Sequence, residues 1–131
     1  MSDDLFDDAE IIHSYTRAQA IEDGVLVDIT KAARLVGFRT HAAMTIAAWA
    51  EAVQWTQGAG DAEGSRVWHV LHNAMQRSAL NWHSEADIEF RVLRLPNEPG
   101  ATEKTGVDLR MVITGGDHGE PVLTVMLPHE D

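Results

Sequence analysis

The chain has 131 residues, of which 44% are hydrophobic and 24% charged, an ordinary composition for a single domain with its own core. It has no cysteine, which excludes disulfides, thiolate metal sites and a cysteine nucleophile; no window reaches the roughly 18 uncharged apolar residues that span a bilayer, and the first residues lack the pattern of a secretory signal, so the expected compartment is the cytoplasm. Twenty-one acids against ten bases give a net charge of −11, which repels phosphate, disfavours nucleic acid and anionic membranes, and favours a basic protein partner.

The acids are unevenly placed. Residues 1–28 hold eight of them (Asp3, Asp4, Asp7, Asp8, Glu10, Glu22, Asp23 and Asp28) against one base, Arg17. Residues 1–9 read as an acidic flexible tail, in which Leu5 and Phe6 can anchor to a groove of this protein or of a partner. Residues 10–131 read as a single α+β domain.

In chain order, Thr16 predicts an N-cap for a short helix through Glu22, and Gly24 predicts its left-handed stop. Val25, Leu26 and Val27 predict a strand. Thr30 is the expected cap of a second helix, Lys31 to Val36, ended by Gly37. Thr40 is the expected cap of a third, reaching about Thr56, with Ala43, Ile46, Ala47, Ala50 and Val53 inward and Trp49 beside them. A glycine-rich loop follows over residues 57–64. Ser65 then caps a fourth helix, Arg66 to about Trp82, whose inner stripe is Val67, Leu71, Ala74 and Met75, extended by Trp68 and Leu80.

Beyond residue 86 the hydrophobic period changes from 3.6 to 2. Ile88, Phe90 and Val92 alternate with charged residues, as do Val107, Leu109, Met111 and Ile113 with Asp108 and Arg110. Residues 122–127 are apolar almost throughout, the pattern of a strand that is central or covered on both faces. The resulting expectation is an α+β fold of about four helices followed by a three-stranded antiparallel sheet. The helices pack on one sheet face, and the early strand is available to join an edge.

Few constellations carry chemistry. His69 and His72 share a helix face, and His83, Glu85 and Asp87 follow, which are ligand types suited to zinc or iron. Their spacing matches no metal motif, and two solvated helix histidines followed by a polar helix-to-strand loop are the plainer reading. Asp61, Ser65 and His69 lack the elbow of a serine hydrolase. Gly58, Gly60 and Gly64 lack the context of a P-loop. No cofactor and no metal is expected. Glu89, Arg91, Asp108 and Arg110 are placed to pair across strands, with Arg94 able to join them. Trp49, Trp55, Trp68 and Trp82 lie on or at the ends of the two long helices. Trp55 and Trp82, which end them, are the candidate aromatic anchors for a partner.

Two stretches, Ile11 to Asp28 and Gly119 to Pro128, together with the Trp49 helix and the Phe90-Arg91-Val92 strand, resemble a family of small uncharacterised domains of bacteria, plasmids and phages. The resemblance spans residues 11–128. It implies an accessory protein of a mobile element that acts against host defence, of the anti-CRISPR or antirestriction kind, and it carries no catalytic residue over to this chain. The expectation is therefore a non-enzymatic inhibitor that binds the basic surface of a host nuclease or effector complex. The expected contact residues are Asp3, Asp4, Asp7, Asp8, Glu22, Asp23, Asp28, Trp55 and Trp82. A small histidine- or metal-dependent enzyme built on His69, His72, His83 and Glu85, or a general interaction module, are the alternatives.

Overall fold

The computed structural model describes residues 15–58, 62–80 and 87–130. The expected acidic tail lies outside them. Helix α1 (Arg17–Glu22) begins where the sequence places it. The Thr16 hydroxyl accepts from the Gln19 amide, and the Gln19 side-chain oxygen accepts from the Thr16 amide, both at 3.0 Å, closing a capping box. Its end is equally local. Gly24 sits at φ +79°, the Val25 amide donates to Ala20 O at 2.9 Å and the Gly24 amide to Ile21 O at 3.1 Å. Those two bonds form a Schellman closure, which needs the left-handed residue that glycine supplies.

Strand β1 (Leu26–Asp28) and helix α2 (Thr30–Val36) follow. The predicted Thr30 cap is corrected. Thr30 is the first helical residue, and Asp28 Oδ1 accepts from both its amide (2.9 Å) and its hydroxyl (2.6 Å). The Thr30 hydroxyl in turn accepts from the Ala42 amide at 3.1 Å, so it stitches α2 to the next strand instead of capping the helix.

The long helix expected from Thr40 to Thr56 is not formed. Its place is taken by strand β2 (His41–Thr45) and a short helix α3 (Ile46–Ala52), whose cap is Thr45, accepting from the Ala48 amide at 3.1 Å. Alanines favour helix locally, but Ala42, Ala43 and Met44 are all 0–1% exposed. Such burial on both faces suits a strand held inside a sheet, and tertiary pairing overrides propensity. Of the expected inner stripe, Ala43 and Val53 are buried, while Ile46 and Ala50 face out.

Helix α4 (Ala62–Leu80) already includes Ala62, so Ser65 lies within its first turns and is not its cap. Val67, Val70, Leu71 and Ala74 face the core. Trp68 does not extend that stripe; it is 41% exposed.

Strands β3 (Asp87–Arg94), β4 (Thr105–Gly115) and β5 (Pro121–Met126) complete the chain. The sheet has five strands in the order β1-β2-β5-β4-β3, not three. It is mixed, because β2 runs parallel to β5 while every other neighbouring pair is antiparallel. Two long-range pairings produce this correction. The alanine-rich β2 inserts beside β5, and the early strand β1 then takes the edge. The central place of β5, between β2 and β4, accounts for its nearly continuous apolar run.

The alternation in β3 holds, with Ile88, Phe90 and Val92 buried. In β4 it holds through Met111. Beyond that point the burial changes face: Val112 is buried beside Thr124, and Ile113 is exposed. One sheet face carries the main core, where Met44, Leu109, Met111, Leu123 and Val125 meet α2, α3 and α4. No described residue of α1 belongs to that core. Arg17 instead reaches Thr124 on the opposite face, so the four helices do not all serve one face. Among the described residues no helix is long and apolar enough to cross a membrane.

Candidate functional site

Arg17 anchors α1 across the sheet face opposite the main core, on the central strand β5. Its guanidinium donates to Thr124 Oγ1 at 2.7 Å and to Leu123 O at 2.6 Å. The β4–β5 turn closes over the start of the same helix, where Asp117 accepts from the Arg17 and Ala18 amides at 2.8 and 3.1 Å. This satisfies two amides of the first turn, which have no partner within the helix, and places a negative charge at the positive end of its dipole. The Arg17 and Ala18 amides hold the Asp117 carboxyl below its ordinary range. Burial lowers the pKa of Arg17, and Asp117, Asp28 and Glu120 work against that. Glu120 is itself held low, first by the His118 amide that it accepts at 2.9 Å. Burial acts to raise the Asp28 carboxyl, but the Thr30 hydroxyl and amide, together with His41 and Arg17 acting through space, outweigh it, and the net shift is downward.

Of the acids that the sequence nominates, Asp28 is therefore committed to folding α2. Glu22 and Asp23 are different. Both are exposed at the end of α1. The Tyr15 hydroxyl donates to Asp23 Oδ2, and that bond raises the tyrosine's pKa. Val25 and Ile46 stand nearby, 49% and 50% exposed. They are joined by the Ile46 amide donating to Val25 O at 3.0 Å. The sheet edge thus presents two carboxylates, a phenol and two aliphatic side chains. The apolar members were missed from sequence because Val25 reads as strand and Ile46 as the inner face of a helix that does not exist.

The whole chain, residues 1–131, matches the model of a family of unknown function, DUF6573. The chain belongs to that family. No curated protein and no solved structure matches it.

Asp3, Asp4, Asp7, Asp8 and Trp82 lie outside the described residues. Trp55 is half-buried. The Arg66 guanidinium lies 5.0 Å over its ring, and its amide donates to the Glu63 carboxylate at 3.0 Å. Among the described residues the exposed indole is that of Trp68. It stacks on His72 at 4.7 Å and an interplanar angle of 9°, and meets His69 edge-on at 5.5 Å. The signal for this was present in the sequence. Trp68 stands four residues before His72, so the two share a helix face, and His72 already reads as solvated.

Of the histidine cluster only His69 and His72 are described. His83 and Glu85 lie outside the described residues. Asp87 pairs with Arg110 across the strands at 2.7 Å, and the bond from Arg110 lowers its carboxyl. Among the described residues no three histidines, aspartates or glutamates are grouped to hold a metal. Arg91 and Asp108 form the expected cross-strand pair, bidentate at 2.6 and 3.1 Å. Arg94 does not join it; its Nη1 donates to Leu95 O at 3.1 Å.

Proposed function

We propose that this DUF6573 chain is a non-enzymatic binding protein that docks on a basic surface of another protein through the end formed by α1, β1 and the start of α3. The observation that carries the reading is the grouping of the exposed Glu22 and Asp23 with Tyr15, Val25 and Ile46. Carboxylates steer a basic partner before contact, and the neighbouring apolar side chains give up water once contact is made. The chain's overall charge of −11 adds to the steering. In its finer form the proposal follows the resemblance carried by Ile11 to Asp28. The partner is then a cytoplasmic nuclease or effector complex of host defence, whose nucleic-acid-binding surface is basic, and the chain inhibits it by occupying that surface.

The test starts from proteins captured from a host lysate on the immobilised chain, followed by association kinetics with the captured partner. The association rate should fall as salt rises, because screening confines exposed charges to a reach of about 8 Å at physiological ionic strength. Glu22→Gln with Asp23→Asn should slow association, and Val25→Ser with Ile46→Ser should speed dissociation. An affinity that is unchanged by salt and by both double variants rules the reading out.

A further inference from the structure

At the opposite edge of the sheet, a cavity of about 150 Å³ opens between β3 and the first half of α4. Arg66, His69, Arg94 and Lys104 line it, over an apolar floor that includes Val70 and Val92. Three cations around one small cavity are unexpected in a chain with twice as many acids as bases.

The two guanidiniums are held in place by carbonyls. Arg66 donates from Nε to Val53 O at 2.7 Å and from Nη1 to Leu95 O at 3.2 Å, and Arg94 donates to that same Leu95 oxygen at 3.1 Å. Neither forms an ion pair among the described residues. Each also keeps one nitrogen, Nη2 of Arg66 and Nε of Arg94, that is buried without a hydrogen-bond partner. Burial lowers the pKa of both, and the charge of Arg94 further lowers that of Arg66. Glu63 and Glu51 oppose these shifts only through space. Each guanidinium thus has one carboxylate acting on it from a distance and none bonded to it, so part of its positive field is left over, and an anion beside them offsets the cost of their partial desolvation.

We infer that this cavity is a binding site for a small phosphate group, either inorganic phosphate or the phosphate of a small phosphomonoester. Three cations around one small cavity favour a dianion over a single carboxylate. A polynucleotide is disfavoured, because the chain's net charge repels the rest of its backbone. The site lies at the other sheet edge from the proposed partner surface and does not depend on that reading.

Calorimetry and amide NMR on the full chain test the inference, with inorganic phosphate, glycerol phosphate and an unphosphorylated single-stranded oligonucleotide as probes and chloride as the control at matched ionic strength. Phosphate should bind and shift the amides of residues 92–95 and 104. Arg94→Gln should weaken it about tenfold, as losing a bond to a charged group does. Lys104→Gln is exposed and safe for folding, and should weaken it about three- to fivefold. Glycerol phosphate binding more tightly than phosphate assigns the site to an organic phosphomonoester, and the reverse order to free phosphate; both support the site. Phosphate that is no more effective than chloride overturns it. So does phosphate binding equally to the parent chain and to both variants, or oligonucleotide binding through these residues while phosphate is inert.

Discussion

Arg17, on the sheet face that carries α1, and Arg66 and Arg94, at the β3 edge, are held alike but sit in different fields. The Arg17 guanidinium is bonded by Thr124 Oγ1 and the Leu123 carbonyl, and three carboxylates, Asp117, Asp28 and Glu120, act on it through space against burial. Arg66 and Arg94 are anchored by the carbonyls of Val53 and Leu95, and each has one carboxylate acting on it, Glu63 and Glu51, while Arg94 repels Arg66. Hydrogen-bond partners fix where a guanidinium sits, whereas only formal charges cancel its field. A chain of net charge −11 can therefore hold a locally cationic cavity at one edge and an acidic, apolar-studded surface at the other.

The main core behind the cationic edge provides the largest expected effect. Leu71 is fully buried, and Leu71→Ala should cost roughly 2–5 kcal/mol in chemical denaturation. A loss below about 0.5 kcal/mol, the range of ordinary surface changes, would place that face of α4 outside the core. Next comes Arg17→Gln, which should cost about 1–3 kcal/mol because it removes charge-assisted bonds to Thr124 Oγ1 and Leu123 O and leaves the surrounding acids without their cation. Conversely, Asp28→Asn should destabilise far more than Glu22→Gln. The first anchors α2 and the second only faces solvent. Equal thermal midpoints for those two variants would erase the distinction between structural and free acids.

Gly24→Val should cost about 1–2 kcal/mol. Nothing stands within 4 Å of an added Cβ there, so the penalty is the backbone conformation alone. If Gly24→Asn is tolerated much better than Gly24→Val, the left-handed stop is confirmed, since asparagine visits that region readily.

The smallest effect is on pH dependence. Asp28, Asp117 and Glu120 all have depressed carboxyls in the folded chain. The unfolded chain therefore binds more protons in this range, and the stability they contribute is present above the ordinary carboxylate pKa of about 4. It is lost as the pH falls from there through their lower folded values. The β3 edge carries depressed carboxyls of its own, Asp87 and Asp108, paired with Arg110 and Arg91, so acid should weaken both ends of the sheet over the same window. Amide exchange followed down through this window would show α1, the β4–β5 turn and the β3–β4 pairs losing protection together. Asp117→Asn should move the acid-unfolding midpoint upward and flatten the acid limb, and an unchanged limb would remove Asp117 from this role.

The elements that could be read from the residues are those governed by neighbours three or four positions away. The Thr16–Gln19 capping box, the Gly24 stop, the Gly37 stop and the alternation of Ile88, Phe90 and Val92 are of this kind. Their physics lies within one helical turn or one strand pleat. The candidate site was legible only where it shared that locality. The exposed Glu22 and Asp23 follow from the end of α1, whereas the Arg66 guanidinium that lies over the Trp55 ring comes from eleven residues on and follows from no local rule.

Tertiary structure decided the rest. An alanine-rich run such as Ala42-Ala43-Met44 satisfies a helix and a buried strand equally. The choice fell to β5, some 80 residues away, which offers a parallel partner from His41↔Val122 to Met44↔Val125. The same pairing makes Thr45 the helix cap in place of Thr40, turns Ile46 outward and sets Thr124 where Arg17 reaches it. The gathering of Arg66, Arg94 and Lys104 around one cavity is decided in the same way. No local rule relates a helix residue to a strand end and a loop, and only the packing of α4 on β3 brings their charges together.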